Sequence, residues 1–268
     1  MSYLALSYTD LVLAATFLLV QAVLSFALNL GLGRSLLVAA GRMVVQLLLL
    51  GLVLDALFRA NSVLWTGLAV AVMVGFAGYE ALARQTRQLA GGWSYAISLA
   101  AMALAAISVV VLALVVIVQP QPWYDPRYAV PLVGMVLGNT MTGVALGLHS
   151  LANNAVRDRL AIEARLTLGA PRWTALNATL RDAMRAGLIP IVNSMAATGL
   201  VAIPGMMTGQ ILAGAAPTEA IKYQLLVMFM IAGGTGIGVF VAVYWAAWRL
   251  TDARHRLRLD RLREGKGG

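Results

Sequence analysis

Two short stretches hold the side chains best suited to handling a solute inside an otherwise apolar chain. "GNTMTGVALG" (138–147) and "PGMMTGQILAG" (204–214) share Met-Thr-Gly, as Met141, Thr142, Gly143 and Met207, Thr208, Gly209. Asn139, Thr142, Thr208 and Gln210 supply neutral oxygen; Met141, Met206 and Met207 supply soft sulfur. Neutral oxygens suit a hard cation or a hydrogen-bonding solute, whereas thioethers suit soft metals. Arg42 and Gln46, one helical turn apart, form a further polar pair in an apolar run, at the spacing of Gln21, Ser25 and Asn29. Arg42, Gln46, Asn139, Met141, Thr142, Met206, Met207, Thr208 and Gln210 are therefore the candidates for a translocation path. Helix packing is the competing reading, since Gly lets backbones approach and Thr or Asn hydrogen-bonds between helices; Arg42 would then snorkel to its nearer membrane face. Pro204 frees a helical carbonyl, which a membrane tolerates where it lines a cavity or meets neighbours.

Covalent chemistry finds little support. The chain has no Cys, and its two histidines, His149 and His255, belong to no H-E-x-x-H or similar array. No G-x-x-x-x-G-K-S/T phosphate loop is present; "EGKGG" at the end lacks the spacing and the hydroxyl. If transport is ATP-driven, ATP and Mg belong to another chain, and no cofactor is expected on this one. Carboxylates keep to the ends of the apolar runs or to loops, as Asp10, Asp55, Glu80, Asp125 and Glu219 do. A carrier coupled to an ion gradient usually needs an acid at membrane depth, so that alternative is disfavoured.

The elements that must position these groups are membrane spans. Of 268 residues, 60% are hydrophobic and only 12% charged, and mean hydropathy is +0.82. Soluble domains carry roughly a quarter charged residues. The composition thus specifies an all-α integral membrane protein, read as one transmembrane domain over 1–268. Apolar runs at 11–31, 36–58, 62–81, 95–119, 128–148, 188–213 and 222–249 each reach membrane length, giving about seven helices. The N-terminal MSYLALSYTD lacks the basic region of a cleavable signal. Asp55 and Arg59, and Glu80 and Arg84, stand i,i+4 near span ends, as structural ion pairs would.

Basic residues set a sidedness. Six Arg fall between 157 and 185, and seven basic residues between Arg249 and Lys266. The opposite loops hold Arg59, Arg127 and Lys222. This asymmetry predicts N-out, C-in, with 250–268 a basic cytoplasmic tail beside anionic lipid. The net charge of +9 is thereby a matter of membrane placement, and no nucleic-acid partner is inferred.

Between the fifth and sixth runs, 149–187 reads as two amphipathic cytoplasmic helices. Leu151, Val156, Leu160, Ile162 and Leu166 give the first an apolar pattern, and Gly169 stops it. Pro171 suits the first position of the second, whose stripe is Trp173, Leu176, Leu180, Met184 and Leu188. Such a pair either rests on the bilayer or serves as a handle for a partner.

Within it, "EARLTLG" has Glu163, Ala164 and Gly169 in an E-A-x-x-x-x-G frame. This resembles the cytoplasmic E-A-A-x-x-x-G loop of ABC-transporter permeases, with Arg165 in place of the second Ala. "GRMVVQLLLLG" (41–51), "GNTMTG" (138–143), "EARLTLGAPRW" (163–173), "IPGMMTGQILAG" (203–214) and "YQLLVMFMIA" (223–232) follow in that order. Together they resemble the FetB-type permeases, linked to bacterial iron export and related to plant aluminium-tolerance proteins. The resemblance implies a permease, in two copies in a cytoplasmic membrane, paired with a FetA-like ATP-binding subunit. Glu163, Ala164, Gly169, Pro171 and Trp173 would make the ATPase contact. It implies an iron or related metal species as cargo; a non-metal cargo is the alternative.

Overall fold

The computed structural model describes residues 7–252 and 254–264; residues 1–6, which open the N-terminal stretch, and 265–268, which hold Lys266 of the basic tail, lie outside the described residues. Six described helices are long and apolar enough to cross a membrane: α1 (Tyr8–Ala27), α2 (Gly33–Ala60), α3 (Val63–Ala83), α4 (Trp93–Leu112, extended by a π turn over Ala113–Val118), α5 (Pro126–Arg157) and α10 (Pro217–Arg249). They coincide with six of the seven apolar runs. Shorter elements complete the chain: β1 (Arg87–Leu89), α6 (Arg159–Thr167), α7 (Arg172–Ala175), α8 (Asn177–Ala197), α9 (Gly205–Leu212) and β2 (Leu262–Glu264).

The chain forms two compact units, Met1–Asn61 with Leu212–Gly214, and Ser62–Ile211 with Ala215–Gly268. In the first, Ser7 accepts from the Asp10 N–H while the Asp10 carboxylate accepts from the Ser7 N–H at 2.8 Å, a reciprocal cap on α1. Arg59 and Asp55 form the expected ion pair at 2.9 Å near the end of α2.

The second unit is built on α3, α4, α5, α8 and α10. Its closest packing is a glycine seam. A Cβ on Gly143 of α5 would lie 2.8 Å from the Gly187 carbonyl oxygen, and one on Gly187 of α8 would lie 2.7 Å from that of Gly143. Val239 of α10 closes the same space, its Cγ1 2.8 Å from that second position. Small residues thus bring three backbones together where apolar burial drives nothing, because lipid is as apolar as the helices.

The sixth apolar run, 188–213, is not one helix. Its first part completes α8; the chain then breaks over 198–204 and restarts as α9. Gly199 takes φ +90°, its N–H donates to the Ala202 carbonyl at 2.9 Å, and Pro204 can donate no hydrogen bond. Leu200 and Val201 in the break are 92% and 86% exposed.

The segment 149–187 also departs from a simple helix pair. Nothing in "HSLANNAVR" stops a helix, so α5 continues to Arg157, and only α6 is a separate helix before the turn. Gly169, at φ +88°, ends α6: its N–H donates to the Leu166 carbonyl at 3.0 Å, and that of Ala170 to Arg165 at 3.0 Å. Pro171 occupies the N-cap of α7 rather than the first helical position. The expected stripe then runs through α7 and α8, with Leu176 and Leu180 buried and Met184 and Leu188 packed on the core.

The tail is folded. β2 pairs antiparallel with β1 through Arg87–Glu264, Gln88–Arg263 and Leu89–Leu262. Arg261 Nη1 donates to the Arg249 carbonyl at 2.7 Å, and the Arg249 guanidinium lies 4.6 Å from the Trp93 ring centre. Asp252 accepts from the backbone N–H groups of Arg254 and Arg256, both at 2.9 Å, and pairs with the Arg256 guanidinium. Those bonds, the Arg256 N–H foremost, hold its carboxyl at about 2. His255 Nδ1 accepts from the first N–H of α7, Arg172, at 3.2 Å.

Candidate functional site

The second unit carries along α5 a face on which Asn139, Thr142, His149 and Asn153 are interspersed with apolar residues. Pro131, Met135, Asn139, Thr142, Leu146, His149 and Asn153 follow one another at intervals of three or four residues, which places them on one stripe of the helix. Within this unit, α3, α4, α8 and α10 bury the opposite side, including Val136, Val144 and Leu151.

Each end of the stripe opens into a cavity. At the end near the start of α5, a cavity of about 730 Å³ is lined by Arg127, Tyr128, Met135, Met206, Gln210 and Tyr223 among apolar neighbours. Gln210 Oε1 is buried there without a hydrogen-bond partner. Gln224, only 7% exposed, also has an unpartnered Oε1, one turn before Val227 of the cavity wall. At the end nearer the tail, a cavity of about 230 Å³ is lined by Arg84, Thr142, Ala145, Leu146 and His149. His149 is clamped: its Nε2 lies 2.9 Å from the Asn153 amide nitrogen and its Nδ1 3.2 Å from Thr86 Oγ1. A neutral ring that accepts from Asn153 donates to Thr86.

Asn139 lies between the cavities, one turn from Met135 and less than one from Thr142. Its amide nitrogen donates to the Met135 carbonyl at 2.9 Å, which leaves its oxygen facing out. Thr142 Oγ1 donates to the Gly138 carbonyl at 3.3 Å, and Thr208 Oγ1 to that of Pro204 at 3.2 Å. Hydroxyls bonded to their own helix keep a lone pair for a solute.

The sequence-predicted path residues therefore divide. Met206 and Gln210 share the larger cavity, Thr142 lines the smaller one, and Asn139 stands between. Met141 packs against the core, while Met207 and Thr208 lie on α9 outside the cavity wall. Arg42 and Gln46 sit one turn apart on α2 of the other unit, both exposed. Sequence reasoning missed Met135, Arg127, Arg84 and His149. Extending the interval from Asn139 in both directions reaches Met135 and His149; Arg84 belongs to another helix. Arg84, at the end of α3, stands on the wall of the smaller cavity. Neither lining contains a carboxylate. No group of three His, Cys, Asp or Glu able to hold a metal occurs among the described residues.

Directly past the stripe, α5 leads into α6. Leu160 and Leu168 stand 81% and 88% exposed at its two ends, and Ile162 anchors it in the core. Glu163 is engaged by Arg159 of the same helix at 2.8 Å, and Ala164 faces out beside it. Trp173 packs on Tyr244 of α10, ring centres 5.6 Å apart.

A family model described as an uncharacterised protein family, UPF0014, matches residues 8–250. A UPF0014 membrane protein of Synechocystis sp. is 40% identical over 206 residues, 76% of this chain and 78% of that protein. The "Probable iron export permease protein FetB" of Escherichia coli (strain K12) is 32% identical over 255 residues, 95% of this chain and 96% of its own length. "Protein ALUMINUM SENSITIVE 3" of Arabidopsis thaliana is 32% identical over 234 residues, 86% and 82% of the two chains. No solved structure matches.

Proposed function

The chain belongs to the UPF0014 family of multi-pass membrane proteins, and on that premise we propose that it is the permease subunit of an ATP-driven exporter of iron or a related metal species, powered by a separate ATPase. One observation carries this reading. A single helix, α5, bears the face that joins two cavities and ends at Arg157, one residue before the exposed knuckle of α6. Path and handle sit on consecutive helices, as suits a pump driven from outside the membrane. The basic asymmetry supports a reading with α6, the tail and the smaller cavity on the cytoplasmic side, and the larger cavity outside. A gradient-coupled carrier would want an acid on this path, and neither lining has one.

Two copies would complete the path. Irregular backbone at membrane depth persists only where protein or a water-filled cavity covers it, and the break at 198–204 leaves apolar side chains uncovered in one chain. A second copy laid against the break and the α5 stripe would enclose both.

The ATPase contact is tested by copurification. Leu168→Glu puts a charge on the most exposed apolar position of the knuckle and should abolish capture of the ATPase. Glu163→Arg should leave capture intact, because Glu163 is already satisfied by Arg159. Unchanged capture and transport in Leu168→Glu would mean that α6 merely rests on the bilayer. Orientation is checked with single cysteines at 157 and 125 and an impermeant thiol reagent in intact cells: only position 125 should label.

A further inference from the structure

Given the permease reading, we infer that the larger cavity takes an uncharged organic molecule with an apolar body and a hydroxyl or N–H donor, such as a phenol, an alcohol or an amide. The polar atom left open in that wall is an acceptor. Gln210 Oε1 is buried there with no hydrogen-bond partner. A buried acceptor in that state is costly until a donor reaches it. The groups that share the wall can accept as well. The hydroxyls of Tyr128 and Tyr223 carry lone pairs, and the thioethers of Met135 and Met206 accept weakly. Met206 stands one turn before Gln210 on α9, so the two lie on one face of that helix. Arg127, also in the wall, is already engaged within the protein and is not the anchor.

Charge decides which donor-bearing molecule fits. No carboxylate lines the cavity. An ammonium group or a bare metal ion would enter an apolar recess with no counter-charge and with the Arg127 cation in the same wall. An anion would turn lone pairs toward Gln210 Oε1, the atom that needs a donor. A neutral donor meets neither cost. The remaining wall suits a carbon body: Pro131, Leu132, Leu226 and Val227 supply aliphatic surface, and the rings of Tyr128 and Tyr223 supply aromatic surface. A mostly apolar lining with few polar atoms is the usual make-up of an organic-ligand site. The volume, about 730 Å³, falls within the usual range for such sites and far above what a single ion requires. A metal species fits here only inside a neutral complex that turns a donor outward.

The test uses the full chain in lipid nanodiscs without the ATPase, with binding to empty discs subtracted. The probes share one carbon body: para-phenylphenol, its methyl ether, biphenyl carboxylate and biphenylmethylammonium. The phenol should bind about 5- to 100-fold more tightly than the ether, which lacks only the donor, and more tightly than either ion. Gln210→Leu keeps the bulk and removes the acceptor. It should bring the phenol down to the ether and leave the ether unchanged; Gln210→Met, a second replacement of like length, should do the same. Equal binding of phenol and ether to the wild-type chain would overturn the inference, as would tightest binding of the carboxylate or the ammonium. A phenol preference that survives both substitutions would overturn it too. Selective phenol binding in a chain that captures no ATPase would leave this inference standing and remove the permease reading, and capture without a phenol preference would do the reverse.

Discussion

Gly187→Ala should loosen the whole second unit from a single added methyl. The new Cβ would lie 2.7 Å from the Gly143 carbonyl oxygen and 2.8 Å from Val239 Cγ1. The valine methyl can turn away, but the carbonyl belongs to helical backbone and cannot move without shifting α5. Overpacking of this kind costs ~1–3 kcal/mol, and backbone on one side places it near the upper end. At roughly 2–4 °C per kcal/mol for a domain of this size, the unfolding midpoint should fall by about 5–10 °C. Gly236→Ala is the control: it lies in α10, nothing stands within 4 Å of its Cβ position, and helix propensity alone should gain ~0.5–1 kcal/mol. The assay is thermal unfolding of the purified chain in one detergent, read by tryptophan fluorescence. Adding Val239→Ala to Gly187→Ala should recover part of the loss and no more, since the carbonyl contact remains. Equal midpoints for Gly187→Ala and Gly236→Ala would refute the seam.

Gly169→Val should fold but uncouple ATP hydrolysis from export, because a β-branched residue resists φ +88°; Gly169→Asn, which tolerates that region, should retain most coupling, and equal coupling in both would refute the role of the turn. Asn139→Leu and Thr142→Val should slow export at normal expression with midpoints changed by less than about 3 °C, since their hydrogen bonds return to their own helix; wild-type rates in both would move the path elsewhere. Asp252 titrates at about 2 instead of its ordinary 3.8, so its contribution is complete above the ordinary value and is lost as pH falls through about 2. Protection factors over 254–262, corrected for the intrinsic pH dependence of amide exchange, should therefore match at pH 6 and pH 4, and Asp252→Asn should lower them at both; loss of protection already at pH 4 would refute this.

Hydropathy located six spans closely because long apolar runs and helix length report the same bilayer thickness. It joined α8 and α9 because averaging over residues 188–213 does not sense a backbone turned by Gly199 and Pro204. The α5 stripe was half legible: Asn139 and Thr142 stood out as polar, and the same interval reaches His149, whose isolation in sequence hid its partners Thr86 and Asn153. The i,i+4 spacing of Glu80 and Arg84 says nothing of the cavity that Arg84 lines, because that rule sees one helix at a time. The strand β1 has three residues and no local signal; its pairing depends on a segment at the other end of the second unit.

The glycine seam also determines how a push is shared. Contacts too close for a methyl leave little room between α5 and α8, so the crossing at Gly143 and Gly187 is the natural pivot for any tilt the two helices share. The knuckle of α6 joins those helices on one side of the pivot, and the Asn139 oxygen and the larger cavity lie on the other. Were a partner to push α6, as proposed, a tilt about that crossing would carry the handle and the far cavity in opposite senses, so that closing one mouth would open the other with the same stroke.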